Sequence, residues 1–243
     1  MTAITLFLYL LTSHLLGDFV FQPKAWVDDK MSKGFRSKGL IYHILIHALL
    51  IVPLVLAQAL SLGALAIIIV AHYFIDLGKI YAMRWGRAGL FFFIDQLLHI
   101  SVLLFVSFPE IARMSWGIQE GQVQQFFILL ICVVLLTRVS GIIIHYILKP
   151  WSKQLELDKE DSLEKAGTFI GNLERLFVFF LATTGQLTAI GFLVAAKSVF
   201  RFGDLQKSKG RKLTEYVLIG TMLSFGFALT IFLLYNFLNG LIT

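Results

Sequence analysis

The sequence predicts an all-α, polytopic transmembrane helix bundle of about eight spans with its amino terminus outside, and three observations lead there. Of 243 residues, 58% are hydrophobic and only 15% charged, with a mean hydropathy of +0.81; soluble domains sit well below that apolar share. Apolar runs of about 20 residues, the length needed to cross a bilayer core of about 30 Å, recur between short polar stretches. Lysine and arginine collect in alternate connections, as in polytopic proteins whose basic loops face the cytoplasm. The same composition excludes a disordered chain, a collagen-like repeat and a disulfide scaffold, since there are four prolines and a single cysteine, Cys132. A net charge of +6 with a pI near 9.4 reflects loops facing anionic lipid rather than nucleic-acid binding, and no nucleic-acid partner is expected.

The predicted spans are Ala3–Gln22, Leu40–Ala59, Leu62–Ile80, Gly89–Phe108, Gln124–Leu148, Thr168–Thr184, Gln186–Arg201 and Thr214–Leu238. The first opens like a signal-peptide core but has no basic leader and no small-residue cleavage site, so it reads as a retained helix. The sixth and seventh are short enough to form a hairpin that does not fully cross. The loop Pro23–Gly39 carries five basic residues, three follow the third span, four follow the fifth and five follow the seventh. These are seventeen of the 21, against Arg113 alone on the opposite side. Three parts follow: residues 1–148 with a polar constellation and a following fifth span, a cytoplasmic polar loop at 149–167, and carboxyl-terminal helices with a basic cluster at 168–243.

The constellation is made of histidine and aspartate, residues expensive in a membrane helix, at least about 2.5 kcal/mol for a central aspartate, and each therefore needs a reason. They come in pairs at i,i+4, one per span: His14 with Asp18, His43 with His47, His72 with Asp76, and Asp95 with His99. This spacing sets both side chains on one face, one turn apart. Because the spans alternate in direction, a shared depth requires the pairs to fall late, early, late and early along them, and they do. All eight lie about 3 to 10 residues from the cytoplasmic ends, or about 5 to 15 Å at 1.5 Å per residue.

Imidazole nitrogen and carboxylate oxygen without thiolate form a ligand set for a divalent metal, with Zn or Mn favoured and Fe fitting as well. Eight candidates exceed what one ion needs, so two ions are expected. The alternatives are aspartate–histidine hydrogen bonds that only tie a polar bundle together, and a proton relay. Gln22 and Gln96 lie beside the set as donors that could orient it, and Gly17 offers a place for close approach of a helix or a substrate.

A second polar cluster, Glu174, Arg175, Lys197, Arg201 and Glu215, marks the cytoplasmic ends of the last three spans. Its alternatives are ion pairing that fixes helix ends and an anion-binding pocket. Arg138, about ten residues inside the fifth span, has no acidic neighbour within a turn. It is expected to pair with one of the three aspartates or, with Lys197 and Arg201, to meet a substrate's charge. His145 lies near a helix end and is expected to be interfacial.

These motifs resemble a bacterial family of integral membrane proteins known only as a domain of unknown function. The likeness rests on His14-Leu-Leu-Gly-Asp18-Phe with Gln22, on His43-x3-His47, His72-x3-Asp76 and Asp95-Gln96-x2-His99, and on Ala196-Lys197-Ser198-x2-Arg201-Phe202, Glu215-Tyr216 and Gly220-Thr221. It implies a multi-pass protein of the bacterial inner membrane. More distantly, the histidine and aspartate pattern is similar to that of inner-membrane metal-dependent hydrolases, an analogy that supplies only a reaction class. The leading expectation is a membrane-embedded hydrolase acting on a lipid-like or phosphoester substrate from the cytoplasmic leaflet, with Asp18 and Asp95 in catalysis. A divalent-cation or proton-coupled transporter, a di-iron oxidase and a scaffold subunit are the alternatives.

Overall fold

The computed structural model describes residues 2–110, 120–152, 166–199 and 208–242, and among these all regular structure is helical. The helices are α1 (Ala3–Phe19), α2 (Lys24–Lys33), α3 (Lys38–Leu56), α4 (Leu62–Ala82), α5 (Ala88–Glu110), α6 (Glu120–Val134), α7 (Ser140–Ser152), α8 (Ala166–Thr183), α9 (Leu187–Val199) and α10 (Ser208–Ile242). A π-helical turn, Leu135–Val139, joins α6 to α7 without a break, so that Gly121–Ser152 forms one apolar helix of 32 residues. With Lys38–Leu56, Leu62–Trp85, Ala88–Phe108 and Lys212–Ile242 it makes five helices long and apolar enough to cross a membrane.

One element departs from the reading of the sequence. The stretch expected as the loop Pro23–Gly39 contains α2 and a 3₁₀ turn at Gly34–Arg36, bent 80° from α1. Its sequence, Lys-Ala-Trp-Val-Asp-Asp-Lys-Met-Ser-Lys, is too polar for a span yet good helix-forming material. The sixth and seventh expected spans are α8 and α9, of 18 and 13 residues, joined by a tight turn at Gly185 with φ +75°. The chain also divides into two compact units, Met1–Ile131 with the last residues of the chain, and Cys132–Leu241. Most of the polar loop expected at 149–167 lies outside the described residues.

In the first unit α1, α3, α4 and α5 form a ring in which α1 and α4 each touch both α3 and α5. One side chain per turn faces inward. Toward one end the interior is apolar, with Leu6, Leu10, Ile51, Leu54, Ala64, Ile68, Leu103 and Val106 in one core. The outward face is apolar as well: Ile41, Leu45, Leu49 and Leu56 line α3, Phe74 stands on α4, and Leu97 and Phe105 on α5, each 53–79% exposed. In water such a surface would aggregate, whereas lipid solvates it. The histidines and aspartates of these helices turn to the interior instead, which is the pattern of a membrane protein.

One corner sets the approach of α2. Ser37 caps α3 by accepting from the Leu40 N–H at 3.0 Å. Asp29 accepts from the Ser37 hydroxyl at 2.6 Å and the Gly39 N–H at 2.9 Å, and its other oxygen pairs with Lys33 at 2.6 Å. Gly39 lets α2 sit against α3, since a Cβ there would lie 2.8 Å from the Trp26 carbonyl oxygen.

Candidate metal centre

The four i,i+4 pairs meet inside the ring, in layers one helical turn apart. The apolar layer of Leu10, Ile51, Ile68 and Leu103 is followed by His14, His47, His72 and His99, and these by Asp18, His43, Asp76 and Asp95. Each layer takes one residue from each helix, because α1 and α4 run opposite to α3 and α5 and every step is four residues. Between the first two layers lies a cavity of ≈ 10 Å³, room for about one water.

All eight expected ligands are brought together. They fall into three overlapping groups whose donor atoms lie within 4.8 Å of one another: His14, Asp18, His47 and His72; His43, His72 and Asp76; and Asp18, Asp95 and His99. All but Asp18 are buried, and the Asp18 side chain is only 7% exposed. Asp18 is the hub. Its Oδ1 lies 3.1 Å from His47 Nε2, 3.3 Å from His43 Nε2 and 3.6 Å from His72 Nε2, while Oδ2 lies 3.8 Å from His14 Nε2. The His43 and His72 Nε2 atoms are 3.0 Å apart, and the His72 ring also packs on His47 and His99, with centroids 3.9 and 4.1 Å away.

The donor set fits a divalent ion by its chemistry and by its unused atoms. His99 Nδ1 lies 2.9 Å from the Asp95 carbonyl oxygen, a contact that places a proton on Nδ1 and leaves the lone pair on Nε2. That Nε2, together with His43 Nδ1 and Asp95 Oδ1, is buried with no hydrogen-bond partner among the described residues. Buried polar atoms are nearly always satisfied, so orphans on three of eight clustered ligands point to a missing partner.

The residues around the cluster divide into those the sequence disclosed and those it did not. Gln96 donates from Nε2 to Asp18 Oδ2 and Asp95 Oδ2, both at 3.0 Å, and its Oε1 meets His14 Nε2 at 3.3 Å, so it does orient the set. Gln22 has its Nε2 buried with no hydrogen-bond partner among the described residues. Gly17 admits a helix: a Cβ there would stand 2.4 Å from His47 Cε1, so α3 reaches its place only because α1 has no side chain at that point.

Missed by sequence reasoning were Lys30 and Lys79, counted as loop charges. Lys30 is 5% exposed, and its Nζ pairs with Asp76 Oδ2 at 2.6 Å; Lys79 Nζ pairs with Asp95 Oδ2, also at 2.6 Å. Lys79 was discoverable, since it follows His72 by seven and Asp76 by three and so shares their face. Lys30 was not, because only the fold of α2 brings it there.

In the second unit Lys197 donates to both Glu174 oxygens, at 2.5 and 2.7 Å. Arg138, expected either to pair with one of the three aspartates or to meet a substrate's charge, is exposed on the π-helical turn and makes no ion pair among the described residues. It is Lys30 and Lys79 that pair with Asp76 and Asp95. Arg201 lies outside the described residues. Arg175 is buried and donates to the Leu136 carbonyl at 2.5 Å, to Ser224 Oγ at 3.2 Å and to Asn172 Oδ1 at 2.6 Å. It braces a carbonyl within the π-helical turn, where Ser140 also bonds Leu135 and Leu136.

The sequence profile of a family described as "Protein of unknown function (DUF3307)" matches residues 6–127, a stretch that contains all four pairs, Lys30 and Lys79. No curated protein and no solved structure is detectably similar to the chain.

Proposed function

Given that the chain belongs to that family, whose description assigns no activity, we propose that the four-helix cluster is the two-metal centre of a membrane-embedded hydrolase. Its substrate is an amphipathic, lipid-like phosphoester entering from the cytoplasmic leaflet of the bacterial inner membrane. The observation that carries this reading is the overlap of the ligand groups at Asp18, a carboxylate shared between His14, His47 and His72 on one side and Asp95 and His99 on the other. A carboxylate has two oxygens and can bridge two ions, which is how paired sites hold them about 3.5 to 4 Å apart. Bound divalent ions, Zn or Mn by preference and Fe as a further fit, would polarise the phosphoryl oxygen and acidify a water.

The chain's own residues supply the rest. Gln96 keeps the Asp18 and Asp95 carboxylates in register, and the Asp95 carboxylate, one oxygen of which has no hydrogen-bond partner among the described residues, would take the proton from the attacking water. The water oxygen forms the new bond to phosphorus, the ester P–O bond breaks, and the proton passes to the leaving oxygen. The leucine and isoleucine layer closes the other side of the histidines and excludes bulk water. That closure argues against a transport path through the ring.

The topology in this reading has the amino terminus outside. Counting α1 with the five long helices makes six crossings, and α8 with α9 makes eight. Both counts are even, so a hairpin that enters and leaves by one side does not alter the orientation set by the basic loops.

The test is metal content of the detergent-purified protein together with hydrolysis of a phosphoester panel. Zn or Mn near two per chain with product release supports the hydrolase. Metal flux into liposomes with an intact panel would replace it by a divalent-cation transporter, and bound iron with oxygen consumption by an oxidase.

A further inference from the structure

We propose that Lys30 and Lys79 exchange partners: they are counter-ions of Asp76 and Asp95 in the metal-free protein and become the phosphate-binding residues of the loaded one. The inference rests on the two-metal reading and adds to it the residues that select the substrate. It starts from charge. The cluster's charged members are three aspartates, Asp18, Asp76 and Asp95, and two lysines, with the histidines neutral when they offer a lone pair to metal. Three negatives against two positives leave one net negative charge. One divalent ion turns this to one net positive charge, and two turn it to three.

Such an excess in a buried site is costly unless an anion enters with the metals. A neutral ester does not correct it. A phosphoryl group carrying two negative charges, with hydroxide as the third, does.

Geometry says which side chains meet the anion. Both ammonium groups already sit 2.6 Å from carboxylate oxygens that belong to the ligand groups. Metal held by these ligand groups would compete with each ammonium for its carboxylate and leave both lysines beside the site, free to meet an anion. Both lie on the side of the cluster opposite the apolar layer, Lys79 one turn beyond Asp76 on α4 and Lys30 on α2. The apolar layer thus lines one end of the site and two ammonium donors the other. Lysine's compact charge on a flexible stem suits a swing from carboxylate to phosphate. The anchoring of α2 through Asp29, Ser37 and Gly39 keeps Lys30 within reach in both states.

The experiment uses full-length protein in nanodiscs, with Mn or Zn and inorganic phosphate as probes, followed by calorimetry. Wild-type protein is expected to bind phosphate only when metal is present, and saturating phosphate to tighten metal binding in return. Lys30→Gln and Lys79→Gln should bind metal as tightly or about 10-fold tighter, because a competitor for the carboxylate is gone, while phosphate weakens about 10- to 100-fold. Lys79→Arg should restore phosphate binding. Phosphate affinity unchanged in both glutamine variants, or wild-type metal binding indifferent to phosphate, overturns the exchange and leaves the metal centre standing. Weaker metal binding in the glutamine variants also overturns it, since that makes the lysines structural. Absence of metal from the wild type sinks both readings. Displacement of phosphate by nanodiscs containing phosphatidate, but not by phosphatidylcholine alone, assigns the anion to a lipid headgroup; lack of displacement assigns it to a soluble phosphate.

Discussion

The four-helix ring and the helices around Arg175 both bury charged groups among apolar side chains, and they settle them in opposite ways. Arg175 spends its donors on a carbonyl, a hydroxyl and an amide, each within 3.2 Å, and Lys197 closes on both oxygens of Glu174. In the ring, His99 Nε2 and Asp95 Oδ1 have no hydrogen-bond partner among the described residues, and four imidazoles stand within 3.8 Å of one carboxylate. Saturated polar groups stiffen a fold, while clustered unsaturated ones hold places for a ligand. The comparison separates structure from function without reference to how polar each region is.

Substitutions can break that distinction or sharpen it. The largest effect is expected for Asp18→Ala, which removes the shared oxygens: bound metal should fall from about two ions to less than one per chain by elemental analysis, with membrane insertion retained. Unchanged stoichiometry would place the metal elsewhere. Next, Gln96→Leu deletes the side chain that orients Asp18, Asp95 and His14, and metal affinity measured by chelator competition should drop about 10- to 100-fold. If affinity holds, Gln96 is packing only.

Arg175→Met should spare metal content altogether and lower stability, because the Leu136 carbonyl and Ser224 lose their donor at a cost of about 1 to 3 kcal/mol. A fall of several degrees in Tm with intact metal is the expected pair of results; loss of metal would show that the second unit supports the centre. The smallest effect belongs to Lys197→Met. Its pair with Glu174 is partly exposed, at 29% and 16%, and such pairs contribute about 0 to 1 kcal/mol. A large loss of phosphoester turnover in this variant would return Lys197 to the substrate-binding role that its position in the sequence invites.

Much of the ring was legible before folding. Four i,i+4 pairs in alternating apolar runs define four faces, and the late-early-late-early order defines their depth, since helix geometry is a local property with a fixed rise and period. Gly17 was visible as a point of close approach, but what approaches it, the His47 ring, was not. The sequence alone determined that this chain buries histidine and aspartate at one level of a membrane-type bundle.

Tertiary structure decided what neutralises them. Lysines at positions 30 and 79 read as loop charges because hydropathy and charge counts treat a basic residue beside a span as solvated. For Lys79 the face is local, set by its spacing on α4, but whether the Lys30 ammonium reaches a carboxylate depends on the 80° bend between α1 and α2 and on a corner built by Asp29, Ser37 and Gly39. Those contacts bring together residues 8 to 46 positions apart in sequence. Local periodicity carries no information about such pairings, because they are selected by packing and by the cost of leaving a buried charge alone.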